Sequence, residues 1–396
     1  MARAASQGRA AGSRLPRRQG RSCGVVTRPL PLPSILTSMR IAYLAPNIPV
    51  PGTHGGSTHV TNVYRQLSKR HDVLLYCRAG STEPGALSRG LNVHPVLQKG
   101  LLPAAFAATV GAVRRFRPDV IYERYSAFGL GPLLARATGA PCVLMTLDRD
   151  ASALSFRYSD RIVATSAEFI PVEYRDKLRI VHWGVDVDGL VGKSGAALRA
   201  RHAPRGERIV LYTGSFPDWH GVEVLVEVAR SWSGPDVVFL LVGDGQDKSY
   251  VERLAASRGV AGRVVFAGRV PHGEIGAYID AADVCVAPYA PSKHYIFRVY
   301  GMNRDPIKVL EYMALGKVAI TIDTPRMREL FKADEEILLY RAEDPDDLRR
   351  TLMKALTDAD MRARVGSAGA SLVRSRYTWS HHAEELEAVF GEVVRR

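Results

Sequence analysis

One short apolar segment, DPIKVLEYMALGK at residues 305–317, carries two charged residues that could bind a phosphate-bearing ligand. We predict a helix here, with Asp305 as its N-terminal cap and an apolar stripe on one face. Lys308 lies in the first turn and Glu311 follows it, which is the order that the helix dipole disfavours. An external anion such as a phosphate, bound at the helix start together with Lys308, would explain this order. In the alternative interpretation, both charged side chains lie on a solvated face.

Glycine-containing or polar turns follow several of the predicted strands. In the first half of the chain, Gly55 and Gly56 precede a predicted helix that Ser57 or Thr58 would cap. Glycines at such a place let backbone N–H groups approach a ligand closely. No GxGxxG pattern with a following acidic residue is present, so a dinucleotide site is poorly supported. In the second half, the candidate ligand contacts at strand ends are Ser215 in GSFPDWHG, Gly243 and Asp244 in GDG, and Tyr289 after a proline. His220, also in GSFPDWHG, is a catalytic candidate together with Lys308.

Strands and helices alternate from Met39 onward, and the alternation starts again near residue 208. Apolar strands separated by helices predict parallel sheets that are covered on both faces. We therefore predict an α/β fold with two doubly wound, Rossmann-like domains facing across a cleft. The predicted bounds are 39–190 and 191–377, with a loop-like junction near residues 186–208 and a last helix at 378–396. Ligands in such sheets bind outside the carboxyl ends of the strands.

The composition predicts a globular protein with a basic extension. Of the 396 residues, 46% are apolar and 24% charged, which is usual for a soluble globular chain. Residues 1–38 hold seven arginines and no acidic residue, so half of the net charge of +14 lies there. We predict that this segment is a disordered extension. It resembles an organellar transit peptide in composition, but a start at Met39 is the favoured interpretation.

The cysteines and the longest apolar run indicate the cellular compartment of the protein and its relation to a membrane. Cys77, Cys142 and Cys285 lie in strand-like runs, and with Cys23 they form no metal-type spacing, which predicts reduced, buried thiols in a cytoplasmic protein without a metal site. The apolar run at residues 101–113 is too short to span a membrane. Three arginines follow it, so the helix at 101–117 either contacts an anionic membrane surface or is buried with a solvated basic end.

An ordered set of segments resembles the family-4 glycosyltransferases of the GT-B fold. No single segment is specific, but the ordered set over residues 39–396 is. The segments are, in order, APNIPVPGTHGGSTH, PDVIYERYSAFGLGPLLA, VHWGVDVDGL, GSFPDWHGVEVL, LLVGDGQD, FAGRVPHGEIGAYIDAADVCVAPY, PIKVLEYMALGKVAI and YTWSHHAEELEAVF.

This resemblance implies transfer of a sugar from a nucleoside-diphosphate sugar to an acceptor hydroxyl, with retention of configuration and without a metal or other cofactor. Glu311 would bind the ribose hydroxyls of the nucleotide, and the helix start with Ile307 and Lys308 would face the diphosphate. Gly55 and Gly56 would lie against the donor phosphate and the acceptor. The last helix would cross back to the first domain.

The chain departs from the family at positions that would carry charge. Family members often have two acidic residues eight positions apart around the predicted helix, but Asn303 stands at the first of these positions. The arginine and lysine that are usual after the first strand of the second domain are Ser215 and His220 here. We predict that Arg298 and Arg304, together with the lysine of the helix, supply the missing cations.

A second departure lies after the fifth strand of the first domain, where Leu147 replaces the usual histidine. Asp148 and Asp150 follow, and they either act on the acceptor, as a base or through sugar hydroxyls, or cap a turn. The segment from there to the next strand is shorter than is usual in the family.

Two other functions stay open at this stage. One is a nucleotide-sugar epimerase of the same architecture, which would turn over its substrate without an acceptor. The other is a non-catalytic homologue that binds a nucleotide sugar or a protein. The acceptor of a transferase could be a small molecule, a glycan or a lipid-linked compound. Nucleic acid is not a predicted partner, because the basic residues are dispersed and no aromatic–basic motif appears.

Overall fold

The first sheet contains seven parallel strands. The computed structural model describes residues 38–52, 55–79, 93–95, 102–125, 129–147 and 151–394. The strands are β1 (Arg40–Val50), β2 (Asp72–Ala79), β3 (Val93–Pro95), β4 (Val120–Arg124), β5 (Cys142–Met145), β6 (Arg161–Ala164) and β7 (Leu178–Ile180). The helices between them are α1 (Gly55–Leu67), α2 (Leu102–Phe116), α3 (Leu130–Thr138) and α4 (Ala153–Tyr158). The strand order is β3-β2-β1-β4-β5-β6-β7.

The second sheet contains six parallel strands in the order β10-β9-β8-β11-β12-β13. Two short helices, α5 (Val187–Leu190) and α6 (Ala196–His202), lie before this sheet in the junction at residues 186–208. The prediction that this junction is loop-like was therefore wrong. The strands are β8 (Arg208–Thr213), β9 (Val237–Val242), β10 (Val264–Gly268), β11 (Val284–Ala287), β12 (Val318–Ile322) and β13 (Leu338–Tyr340). The helices are α7 (Glu223–Arg230), α8 (Lys248–Ser257), α9 (Ile275–Ala281), α10 (Tyr295–Tyr300), α11 (Ile307–Ala314), α12 (Pro325–Leu330), α13 (Pro345–Thr357), α14 (Ala359–Arg376) and α15 (Trp379–Val394).

Both sheets have one point at which the strand order reverses. In the first sheet it lies between β1 and β4, and in the second between β8 and β11. Helices leave the two neighbouring strands toward opposite faces at such a point, which opens a crevice at their carboxyl ends. The fold thus confirms the predicted pair of Rossmann-like domains in the GT-B arrangement and indicates where each domain can hold a ligand.

The last helix returns to the first domain, as predicted. Trp379 and Phe390 of α15 belong to the apolar core on one face of the first sheet. Near the end of α15, Glu392 accepts hydrogen bonds from Arg161 and Arg179 of that sheet, each at 2.7 Å. The helix is therefore held by apolar burial along its length and by ion pairs at its end. The predicted domain bounds remain predictions.

Asp305 does not cap α11, so this prediction was wrong. Helix α11 has no side-chain cap. The Asp305 carboxylate instead accepts hydrogen bonds from Trp183 N (2.8 Å) and Arg326 Nη2 (2.7 Å), and His182 Nδ1 lies 3.3 Å away. Arg326 Nη2 also donates to Thr165 O at 2.6 Å. Asp305 is buried and joins the start of α11 to the edge of the first sheet.

Some other predictions also need correction, and some concern residues that the structure does not describe. Gly55 and Gly56 are the first two residues of α1 and do not precede it. The segment between β5 and β6 contains one short helix, α4. Cys77, Cys142 and Cys285 are free and buried, as predicted. Residues 1–37, and Asp148 and Asp150, lie outside the described residues.

Candidate functional site

Lys308 is the centre of a compact polar cluster at the carboxyl end of the second sheet. Its ammonium Nζ lies 3.3 Å from Tyr212 Oη and 3.4 Å from His220 Nδ1. The same atom lies 4.5 Å from the ring centre of Tyr212 and 5.3 Å from that of Tyr289, distances at which aromatic faces attract a cation. Side chains of a helix lean toward its N-terminus, so a lysine in the first turn of α11 reaches the turn that follows β8.

Burial sets the charge state of this lysine. It lowers the pKa of Lys308 from 10.5 to about 7, although the negative charge of Glu311 acts in the opposite direction. Among the described residues, no carboxylate lies within ion-pairing distance of Lys308. The ammonium group is thus held among aromatic rings and neutral groups without a counter-ion.

His220 is a neutral hydrogen-bonding partner in the same cluster. Its Nδ1 lies 2.6 Å from the carbonyl oxygen of Ser215, so this nitrogen carries the proton and donates it. The Tyr212 hydroxyl donates to the same carbonyl. Burial and the charge of Lys308 lower the pKa of His220 to about 2. His220 therefore adds no positive charge. The positive charge next to the turn after β8 comes from Lys308.

Glu311 lies one turn after Lys308 and is half-buried on α11. Burial, the largest cause, raises its pKa, while electrostatic interaction with His272 and Lys308 acts to lower it. Among the described residues, the Glu311 carboxylate has no hydrogen-bond donor within reach. Its oxygen atoms are available to accept from the hydroxyls of a ligand.

Close backbone packing shapes the turns beneath this cluster. A Cβ atom on Gly243 would lie 1.9 Å from the carbonyl oxygen of Gly214, and one on Gly214 would lie 2.7 Å from Lys308 Nζ. Both residues have positive φ, at 136° and 137°. The turns after β8 and β9 need glycine for two reasons, space and conformation. Asp244 is exposed, and its Oδ1 accepts from Gly245 N at 2.9 Å.

The structure brings together only part of the predicted site. Tyr289, at the end of β11, has a positive φ of 30°, and this strained backbone places its ring under Lys308. Ile307 packs against the apolar cores of both domains. Arg298 is exposed on α10, and Arg304 contacts the Phe297 ring instead of joining Lys308.

The two predicted glycines belong to the opposite sheet. Gly55 is exposed, and a Cβ atom there would meet nothing within 4 Å. Gly56 follows it in the first turn of α1, after β1. They lie at the switch point of the first sheet, after β1. Asp148 is not among the described residues.

Three contributors were missed from the sequence. Tyr212 lies in the apolar strand RIVLYT, where nothing distinguishes it from core residues. His272, whose charge acts on Glu311, lies in a short 3-10 helix without a motif. Arg124 ends β4, and a charged residue at the carboxyl end of a buried strand is a signal that could have been used.

Two family models match successive parts of the chain. The model described as "Glycosyltransferase Family 4" matches residues 53–189, and the model described as "Glycosyl transferases group 1" matches residues 196–372. The chain belongs to the family-4 glycosyltransferases. The predicted resemblance is thereby confirmed, and the Lys308 cluster lies in the domain that the group 1 description covers.

Curated relatives of this glycosyltransferase carry different acceptor names. It is 28% identical to a D-inositol 3-phosphate glycosyltransferase of Stackebrandtia nassauensis, over 88% of this chain and 89% of the relative. It is 25% identical to a 2-deoxystreptamine N-acetyl-D-glucosaminyltransferase of Streptomyces fradiae, over 71% and 73%. The names therefore agree on sugar transfer and differ in the acceptor.

Solved structures show the same fold at low sequence identity. HepE of Anabaena, solved in complex with UDP and glucose, superimposes with a TM-score of 0.73 at 17% identity, over 89% of this glycosyltransferase and all of HepE. A glycosyltransferase of Rickettsia africae gives a TM-score of 0.73 at 14% identity, over 91% and 100%. Within the described residues, no helix is long and apolar enough to cross a bilayer, and no group of three or more His, Cys, Asp and Glu is arranged around a metal position.

Proposed function

We propose that this glycosyltransferase moves a sugar from a nucleoside-diphosphate sugar to an acceptor hydroxyl and retains the configuration of the sugar. The second domain binds the donor, and the first domain binds the acceptor. The observation that carries the proposal is the Lys308 ammonium group, which lies at the start of α11 without a counter-ion. A diphosphate is an anion that this position could accept.

Two sets of donors can hold the diphosphate. In α11 the first intrahelical bond runs from Val309 N to Pro306 O, so the N–H groups of Ile307 and Lys308 are not used within the helix. These amides face an anion with the positive end of the helix dipole. Lys308 Nζ adds a full charge from the side of the β8 turn. Glu311 accepts hydrogen bonds from the ribose hydroxyls of the nucleotide.

Catalysis in this proposal is mainly electrostatic. Negative charge grows on the diphosphate as the bond to the sugar breaks, and the preorganised amides and Lys308 stabilise that charge. The reacting sugar becomes oxocarbenium-like. The acceptor hydroxyl attacks from the face that the diphosphate leaves, and the departing phosphate takes its proton. Closure of the two domains excludes water, which would otherwise hydrolyse the donor.

Calorimetric titration of nucleotides tests the donor assignment. UDP is the first probe because HepE was solved with UDP, and GDP, ADP and TDP follow. We expect one of these nucleotides to bind and Glu311→Ala to weaken its binding strongly while the protein stays folded. Glu335→Ala, which changes an exposed glutamate on the same domain, is the matched control. Equal nucleotide affinity in all three proteins would contradict the assignment.

Turnover separates transfer from the two other functions. The corresponding nucleotide sugar is incubated with and without an acceptor panel, and its products are followed by NMR. Conversion to an isomer without any acceptor would indicate an epimerase, and binding without any conversion would indicate a non-catalytic protein. Release of the nucleoside diphosphate with the same anomeric configuration in the product supports the proposal. Contact of α2 with a membrane surface remains a prediction.

A further inference from the structure

A second cation is buried at the switch point of the first sheet, and it has no counter-ion among the described residues. Arg124 is the last residue of β4, and only 4% of it is exposed. Its Nε and Nη1 atoms are enclosed and have no hydrogen-bond partner. No carboxylate of the described residues pairs with it. Burial lowers the pKa of Arg124, and the nearby Arg304 acts in the same direction.

Other unpartnered polar groups surround this guanidinium. Alternate residues of a strand share a face, so Tyr122 lies on the same face of the sheet as Arg124. Tyr43 of β1 is the register partner of Tyr122, and the centres of these two rings are 4.9 Å apart. Both hydroxyls lack a hydrogen-bond partner. His59 of α1 is fully buried, and neither of its ring nitrogens has a partner. We call Tyr43, His59, Tyr122 and Arg124 the β1–β4 polar cluster.

The β1–β4 polar cluster offers donors to an anion and no negative charge of its own. Burial, the largest cause, and the charge of Arg124 lower the pKa of His59 well below its usual value, so its ring is neutral and can donate one N–H. An unpaired buried guanidinium with unsatisfied N–H groups destabilises a fold. The planar guanidinium suits the oxygens of a phosphate or a carboxylate. A bound oxyanion would remove this cost.

The donor diphosphate is not the best source of that anion. Glu311 is the neighbour that acts on the pKa of Lys308, whereas three tyrosines (Tyr43, Tyr125 and Tyr122) and, to a smaller extent, Arg304 act on that of Arg124, so the two cations have different neighbours. They also lie in different domains, since Arg124 is the last residue of β4 in the first sheet and Lys308 lies in the first turn of α11 in the second domain. In the part of the chain that the structure describes, each switch point therefore has a cation without a carboxylate partner.

Resting on the proposed function of the first domain as the acceptor-binding domain, we propose that Arg124, with His59 beside it, binds an oxyanionic group carried by the acceptor. The acceptor is then a hydroxyl compound that also bears a phosphate or a carboxylate. This deepens the proposed function, because the relatives differ in their named acceptors, and only the inositol acceptor of these two carries a phosphate.

Inorganic phosphate is the probe, titrated calorimetrically into the full chain saturated with the nucleoside diphosphate that binds. Saturation fills the Lys308 site, so added phosphate reports on a second site. We expect weak binding in the wild-type protein, at least about tenfold weaker binding in Arg124→Gln, and partial recovery in Arg124→Lys. Nucleotide affinity should change less than about twofold in both variants. Arg157→Gln, at an exposed arginine of the same domain, is the control.

Thermal unfolding without ligands excludes a structural role. Because Arg124 is buried and unpaired, Arg124→Gln should melt at the same temperature as the wild-type protein or higher. A lower melting temperature together with lost phosphate binding would overturn the proposal, as would equal phosphate binding in wild type and variant. An equal loss of phosphate and nucleotide binding would assign Arg124 to the donor and overturn it too. A wild-type chain that binds no nucleotide contradicts the proposed donor, while phosphate titration of the free chain still tests Arg124.

Discussion

Replacement of Lys308 by methionine removes the ammonium group while keeping an unbranched side chain in the same space. In the free protein the pKa of this lysine is about 7 because the group is buried. A bound diphosphate supplies the missing negative charge and keeps the lysine protonated, so its pKa is higher in the complex. Above pH 7 the wild-type protein must take up a proton when it binds the nucleotide. Its affinity should then fall by about tenfold for each pH unit above 7.

The size of the effect follows from one charged hydrogen bond. Such a bond is worth about 1.5–3 kcal/mol, which corresponds to roughly 10- to 150-fold in affinity. At pH 6 about nine tenths of Lys308 is protonated, so Lys308→Met should lose this full amount. At pH 8 only about one tenth is protonated, and the difference between wild type and variant should shrink by about tenfold.

Calorimetric titrations of the nucleoside diphosphate at pH 6, 7 and 8 measure this difference. The ratio of the two Kd values cancels the ionisation of the nucleotide itself. His220 does not interfere, because burial, the largest cause of its lowered pKa, acts in both proteins and keeps its ring neutral from pH 6 to 8. Lys332→Met, at an exposed lysine of the same domain, should match the wild type at every pH. A ratio that stays constant from pH 6 to 8, or that equals one, would refute the reasoning.

Three further substitutions test how the fold holds the site. Gly243→Ala places a Cβ atom 1.9 Å from the carbonyl of Gly214, so we expect a loss of about 2–4 kcal/mol in urea unfolding, and an unchanged midpoint would contradict this packing. Asp305→Ala leaves Arg326 buried without its carboxylate, which should cost about 3–5 kcal/mol in the same assay; a loss below about 1 kcal/mol would show that the pair is not formed. Glu392→Gln weakens two arginine contacts, so the last helix should exchange its amide hydrogens faster, and equal exchange would mean that apolar packing alone holds it.

Periodic patterns predicted the architecture because they depend on local sequence. Runs such as VVFLLV have no polar residue and form a strand, β9, that is buried along its whole length. Their alternation with amphipathic helices predicts two parallel sheets. The start of α11 was also close to the prediction, since the helix begins at Ile307, two residues after the predicted cap. Residue spacing was enough to predict the type of each element. The switch points were not predicted, because they depend on the strand order, which the structure gives.

Contacts between distant residues could not be predicted in the same way. Asp305 has the composition and position of a helix cap, and local rules cannot distinguish that role from a bond to Trp183, 122 residues away. Tyr212 reads as an ordinary core residue until the fold brings it to Lys308. The glycines of α1 were placed before the helix because Ser57 or Thr58 was predicted to cap it, but they form its first turn.

Lys308 and Arg124, in two different domains, are both exceptions to the rule that buried charged groups are paired. Neither cation has a carboxylate partner among the described residues, Arg124 is buried and Lys308 is half-buried, and each lies where its sheet reverses strand order. A protein selected for stability alone would pair or replace such groups, so their cost is explained best by ligands that supply the charge. Two anions held across one cleft would repel each other in water-poor surroundings. One cation for each anion lowers this repulsion, so that the diphosphate and a charged acceptor can be held together.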